Sequence, residues 1–249
     1  MMNDERRKTN DEGSFVIRRW SLVIRLSSSI EISGGIPMAV LDDLRQSVIE
    51  GDAPRTQTLV KQAMSEGVPA EKILNDALIS AMTEVGRLFE QGEYFVPEML
   101  VAARAMKGGL ELLRPALLAA NVQAVGKVVI GTVQGDLHDI GKNLVAMMLE
   151  GAGFEIIDLG TDVPPEKFVE AVKTHQPHFV GMSALLTTTM PKMKTTIDAL
   201  NAAGVRHSVK VMVGGAPVTE KYAQDIGADL YAPDASSAAA RARAVLQGN

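Results

Sequence analysis

Five times between residues 127 and 247 the chain repeats one pattern: a short apolar run, a turn, then a helix-length stretch. The runs fall at 127–133, 155–159, 178–183, 209–213 and 229–232, with helices predicted to begin near Gly141, Pro164, Pro191, Val218 and Ser236. Strands separated by helices cannot pair as hairpins. They pair parallel, through right-handed crossovers, into a doubly wound sheet covered on both faces. Strands buried on both sides read as continuous apolar runs, as these do. Open sheets of this class bind ligands at the carboxyl ends of their strands, so the residues just after each run carry the chemistry.

After the first run comes Gly135-Asp136-Leu137-His138-Asp139-Ile140-Gly141-Lys142-Asn143. His138 sits on the turn between strand and helix, and Asp136 lies close enough to accept a hydrogen bond from one ring nitrogen. Such a bond fixes the tautomer and makes the other nitrogen a better metal ligand. Taken alone, the pair also describes a capped turn with a satisfied imidazole. The third run leads into Ser183-Ala184-Leu185, and the fourth into Gly214-Gly215. In a parallel sheet all three blocks share one edge. The two glycines alone read either as a strand-to-helix turn or as a place where backbone approaches a ligand without a Cβ in the way.

Together, Asp136-x-His138-x-x-Gly141, Ser183-x-Leu185 and Gly214-Gly215 resemble the cobalamin-binding domain of B12-dependent methyltransferases, mutases and corrinoid carrier proteins. The resemblance implies a cofactor bound with its dimethylbenzimidazole tail detached from cobalt and inserted into the domain. His138 then takes the lower axial position on cobalt, and Asp136 sets its protonation. Thr189 stands where methionine synthase has a further hydroxyl in this relay, here with an added methyl group. Ser183 and Leu185 are expected to line the slot for the tail, Gly214 and Gly215 to approach the nucleotide, and Ala235 to match a contact on the nucleotide side. Gly135, Leu137, Asp139, Gly141 and Thr187 complete the expected cofactor contacts. The run Thr187-Thr188-Thr189 also reads as helix capping ahead of Pro191.

Upstream, residues 39–121 have helical periodicity. Val40, Leu41, Leu44 and Val48 mark a first helix ending at Gly51. Asp52 can cap a second, Pro69 opens a third, and a fourth starts near Pro97, with Pro115 predicted to kink or end it. Four amphipathic helices with short loops make a bundle. The predicted architecture is therefore α/β: a helical cap over 38–121, then a Rossmann-like five-stranded domain over 122–249. Between the third and fourth helices, Phe89, Tyr94, Phe95 and Val96 crowd a turn. Phe95 reads as inter-helix core. Similarity to the helical cap of methionine synthase instead places Phe89 and Val96 over the upper face of the corrin, where they shield it from water. Residues 1–37 differ in character and read as a disordered extension or as sequence ahead of a start at Met38. Trp20 lies there and carries no assigned role. His175, His178 and His207 read as solvated.

A net charge of −5 gives no footprint for nucleic acid or an anionic membrane. The 249 residues contain no cysteine, which excludes disulfides, thiolate metal sites and thiol nucleophiles, and a cytoplasmic setting is expected. The resemblance spans about 39–247 and includes no barrel for a methyl donor. It therefore implies a carrier subunit of a methyltransferase system, cycling its cobalamin (cobalt, methylcobalamin), rather than a complete enzyme. Expected partners are a substrate-specific methyltransferase, an acceptor methyltransferase acting on a pterin or a thiol, and a reductive activase. Two other readings are a B12-sensing regulator, which needs a DNA-binding module, and the cobalamin subunit of a mutase, which needs no helical cap.

Overall fold

The computed structural model describes residues 36–248; the expectations for the extension at 1–35 lie outside them. Helix α1 (Ile36–Ile49) ends at Gly51, whose φ of 72° turns the chain. Asp52 then accepts the Arg55 N–H and starts α2 (Ala53–Ser65). Helix α3 covers 70–90, with a wider π-type turn at Ile73–Ile79. Helix α4 (Val96–Ala119) continues past Pro115. The expected stop does not occur there: Pro115 lies on the solvent side, while Leu113 and Leu117 on the opposite face stay buried and hold the last turn. No helix among the described residues is long and apolar enough to cross a membrane.

The second half alternates as predicted: β1 (Gly126–Thr132), α5 (Ile140–Gly151), β2 (Phe154–Asp158), α6 (Pro165–His175), β3 (Phe179–Ser183), α7 (Pro191–Ala202), β4 (Lys210–Gly214), α8 (Glu220–Ile226), β5 (Leu230–Tyr231) and α9 (Ala235–Gln247). All pairings are parallel, in the order β2-β1-β3-β4-β5. The chain leaves β1 for β2 on one side and returns to β3 on the other, so the loops after β1 and β3 diverge and open a crevice. Thr132 is in register with Ser183, and Ser183 with Gly214, which brings the three sequence blocks to one edge.

Side chains alternate across the sheet. Val128, Ile130, Phe179 and Met212 face α5, α9 and the helical cap in one continuous core. Val129, Val180, Val211 and Val213 face α6, α7 and α8 in a second. The cap docks through small residues: a Cβ on Gly86 of α3 would lie 2.6 Å from Ser236 Oγ of α9, and one on Gly151 would lie 2.9 Å from Met82.

Gly215 has φ 130°, and a Cβ there would sit 2.0 Å from the Ala184 carbonyl oxygen. Gly227 also has positive φ, 80°, but a Cβ on it would meet nothing. Gly227→Ala should therefore cost about 1 kcal/mol, the left-handed penalty alone. Gly215→Ala should cost about 3 kcal/mol or more, because the β3 and β4 loops must separate. Urea denaturation of the two variants measures the difference.

Candidate functional site

The crevice holds a cavity of about 620 Å³. Its floor comes from strand residues Ile130, Gly181 and Met212, its walls from Leu144 and Val145 of α5 and Ala238 of α9, and Phe89 of the cap reaches it from above. His138 lines it with a ring that is half exposed.

Gln134 and Gly135 turn the chain at the end of β1, closed by the Asp136 N–H on the Val133 carbonyl, and Gly135 supplies the φ of 83° that the turn needs. This drops Asp136 into the interior, where it is fully buried. Oδ1 accepts from His138 Nδ1 at 2.7 Å and from the His138 N–H at 3.1 Å. Oδ2 accepts from Thr189 Oγ1 at 2.6 Å, the Leu185 N–H at 2.8 Å and the Leu186 N–H at 3.3 Å. Burial by itself would raise the carboxyl pKa. The bonds from Thr189, Leu185 and His138 outweigh it and hold Asp136 well below the usual carboxylate range. An ionised carboxylate only accepts, so Nδ1 carries a proton, and in the neutral imidazole the lone pair is on Nε2. Nε2 makes no hydrogen bond among the described residues.

Of the residues singled out from sequence, Leu137, His138, Asp139, Gly141, Ser183, Leu185, Gly214, Gly215, Ala235 and Phe89 all line the cavity. Asp136 and Thr189 lie behind His138, buried, and reach the cavity only through it. Gly135 and Thr187 are exposed and off its wall. Gly215 needs no ligand to explain it, since the Ala184 carbonyl already excludes a side chain.

On the cap, the reading of Phe95 as inter-helix core is wrong. It is 64% exposed, because Gly92 reverses the chain and Phe95 becomes the extended residue before α4, its N–H bonded to Glu98. Tyr94 goes inward instead, its hydroxyl donating to the Ile49 carbonyl. Val96, the first residue of α4, is 40% exposed and off the cavity wall. Sequence reasoning missed Lys142, which also lines the cavity. It is buried, with Nζ 2.5 Å from Asp158 and 2.7 Å from Asn143. A lysine in the first turn of a helix reads as solvated, and its partner lies at the end of the next strand, β2.

Residues 126–241 match the family described as B12 binding domain, and residues 40–114 match a second family of the same description. Dimethylamine corrinoid protein 3 of Methanosarcina acetivorans is 44% identical over 83% of this chain and 97% of its own. Trimethylamine corrinoid protein 1 of the same organism is 40% identical, again over 83% and 97%. The chain belongs to the corrinoid proteins. Solved structures agree. A cobalamin-binding protein from Desulfitobacterium hafniense is 36% identical with TM-score 0.69, covering 82% of this chain and 97% of its own. The methanol:cobalamin methyltransferase complex of Methanosarcina barkeri contains a chain 30% identical with TM-score 0.77, covering 85% and 81%.

The donor set fits a corrinoid. It offers one imidazole with its tautomer fixed and Nε2 open, next to an apolar slot between sheet and helices that suits a flat aromatic base.

Because the folded pKa of Asp136 is lowered, its stabilising contribution is complete above the ordinary value of about 3.9 and is lost as pH falls below that. Asp136→Asn should therefore cost about 2 kcal/mol or more at neutral pH, since at least two of its five donors then face an amide NH₂. Urea midpoints of the two apo-proteins should run parallel from pH 7 to about 4 and converge below it.

Proposed function

We propose that this protein is a methyl carrier that holds cobalamin with the dimethylbenzimidazole tail off the metal and His138 Nε2 in the lower axial position. The observation that carries this reading is the open Nε2 of an imidazole whose other nitrogen is locked to a buried, ionised carboxylate. The corrinoid, when bound, supplies a cobalt that accepts and releases a methyl group. The chain's own residues do the rest. Asp136 holds the proton on Nδ1 and so keeps the Nε2 lone pair available. Thr189 and the Leu185 amide hold Asp136 in turn. Ser183, Gly181, Met212 and Gly214 form the slot that receives the tail, and Phe89 covers the opposite side of the cavity and keeps water from it.

The proposed partners are a substrate-specific methyltransferase that loads the methyl group and an acceptor methyltransferase that removes it to a pterin or thiol. A reductive activase is the third proposed partner. Higher identity to the dimethylamine and trimethylamine proteins than to the chain in the methanol system favours a methylated amine as donor.

Offered cobalamin, the apo-protein should take it up and show a base-off, His-on absorption spectrum. His138→Ala should lose that spectrum and bind about 10- to 100-fold more weakly. A variant spectrum identical to the wild type's removes His138 as the ligand. Phe89→Ala should leave the His-on spectrum intact while speeding loss of the loaded methyl group to solvent, followed by absorbance.

A further inference from the structure

The relay through Asp136 fixes the imidazole side chain and reaches the backbone that carries it at one bond, the His138 N–H on Oδ1. Residues 134–139 form no helix or strand, and all but Asp136 are exposed. A loop of this kind in water is ordinarily the least ordered part of a fold. Beyond the bonds to the Asp136 carboxylate, three hydrogen bonds hold its backbone to β1 and to the loop after β2. Thr132 Oγ1, at the buried end of β1, donates to the His138 carbonyl at 2.9 Å. On the loop after β2, Asp162 Oδ1 accepts the Gly135 N–H at 2.6 Å. The Asp162 N–H donates back to the Asp136 carbonyl at 2.9 Å. Asp162 thus closes a reciprocal pair around the Gly135–Asp136 peptide. It does so from a left-handed conformation, φ 52°, which side chains adopt at a cost, least for Asn and Asp. The two loops are set side by side by the Thr132 N–H on the Gly160 carbonyl and the Val163 N–H on the Thr132 carbonyl.

The relay does not require this carboxylate. Asp162 is exposed, pairs with no cation among the described residues, makes no hydrogen bond to the His138 ring and does not line the cavity. We propose that Asp162 is a positioning residue, which clamps the turn beneath His138 to the loop after β2 so that Nε2 stays aimed into the cavity whether or not it is bound to metal. This rests on the reading of His138 as axial ligand. A ligand that leaves a metal and returns to it must not lose its backbone order in the interval, because re-ordering the loop would oppose each return.

Two substitutions separate the hydrogen bond from the backbone conformation. Asp162→Asn keeps an acceptor oxygen and a residue that tolerates positive φ. Asp162→Gly relieves the φ and removes the acceptor. In the apo-proteins, hydrogen–deuterium exchange over 133–140 should rise about five- to tenfold in Asp162→Gly and stay at the wild-type level in Asp162→Asn. Exchange in α1–α4 should be the same in all three, which shows that the fold is intact. In the cobalamin-loaded proteins the His-on fraction should fall in Asp162→Gly and be retained in Asp162→Asn. Thr132→Val, nearly isosteric, removes the third bond and should reproduce the change if the glycine variant does not fold. Unchanged exchange in Asp162→Gly overturns the clamp. Faster exchange with a wild-type His-on fraction overturns the positioning role. A wild-type protein that takes up cobalamin without any His-on spectrum defeats the axial-ligand reading instead, and the exchange experiment still decides the clamp.

Discussion

A carboxylate with no cation beside it, taken fully out of water, is among the most costly things a fold can contain. Here Asp136 is tolerated because five donors converge on its two oxygens. They come from two places far apart in sequence: His138 on its own loop, and Leu185, Leu186 and Thr189 on the loop after β3. The carboxylate therefore ties together the two strand ends that flank the switch point of the sheet. Without it, the Leu185 and Leu186 amides and the His138 N–H would lose their acceptor, and the Thr189 hydroxyl would keep only the Leu186 carbonyl. Holding the loops together and fixing the imidazole tautomer are one interaction, so the site cannot loosen chemically without loosening structurally.

The crevice beside that carboxylate is kept open by small residues. Gly181 and Gly214 stand on its floor where larger side chains would fill the gap between sheet and helices. An apolar space of about 620 Å³ forgoes the packing that a filled core would have. The apo-protein is accordingly less stable than its size allows. A ligand that fills the slot recovers the missing contacts and adds its binding energy to stability by mass action. Binding and folding are coupled here through packing, as they are at Asp136 through hydrogen bonds.

How much of this can be read from the chain depends on range. The five strand–helix repeats are local patterns, and each strand begins and ends within about two residues of where its apolar run does. The Asp136–His138 pair is also local, two residues apart on a turn, and was legible as soon as the strand before it was. What escaped was either long-range or a matter of which way a side chain turns. The Lys142–Asp158 pair spans 16 residues and the Asp162 clamp 27, and neither leaves a periodic trace. Phe95 was misread because apolar character alone places a residue inside. The reversal at Gly92 sent Tyr94 inward and Phe95 out, a distinction that hydrophobicity cannot make. Pro115 was read as a helix breaker because the rule considers the lost N–H and not which face of the helix it is on.

The same distinction between packing and polar bonds governs how the cap meets the sheet. The two share one continuous apolar core, yet among the described residues, apart from the linker at 121–125, a single hydrogen bond crosses between them, from Ser236 Oγ to Glu90 at 3.2 Å. The rest is fit: Gly86 against Ser236, Met82 against Gly151, Ile79 against Gly153. At such a joint, separation exposes apolar surface and frees one hydroxyl and one partly exposed carboxylate, both of which water can satisfy. The relay at His138 is the opposite case, with five donors losing their shared acceptor if its carboxylate is lost. The molecule thus sets a polar anchor beneath the cavity and an almost wholly apolar cover above it. That asymmetry suits the proposed carrier, in which His138 would hold the cofactor from one side and a partner would reach it from the other.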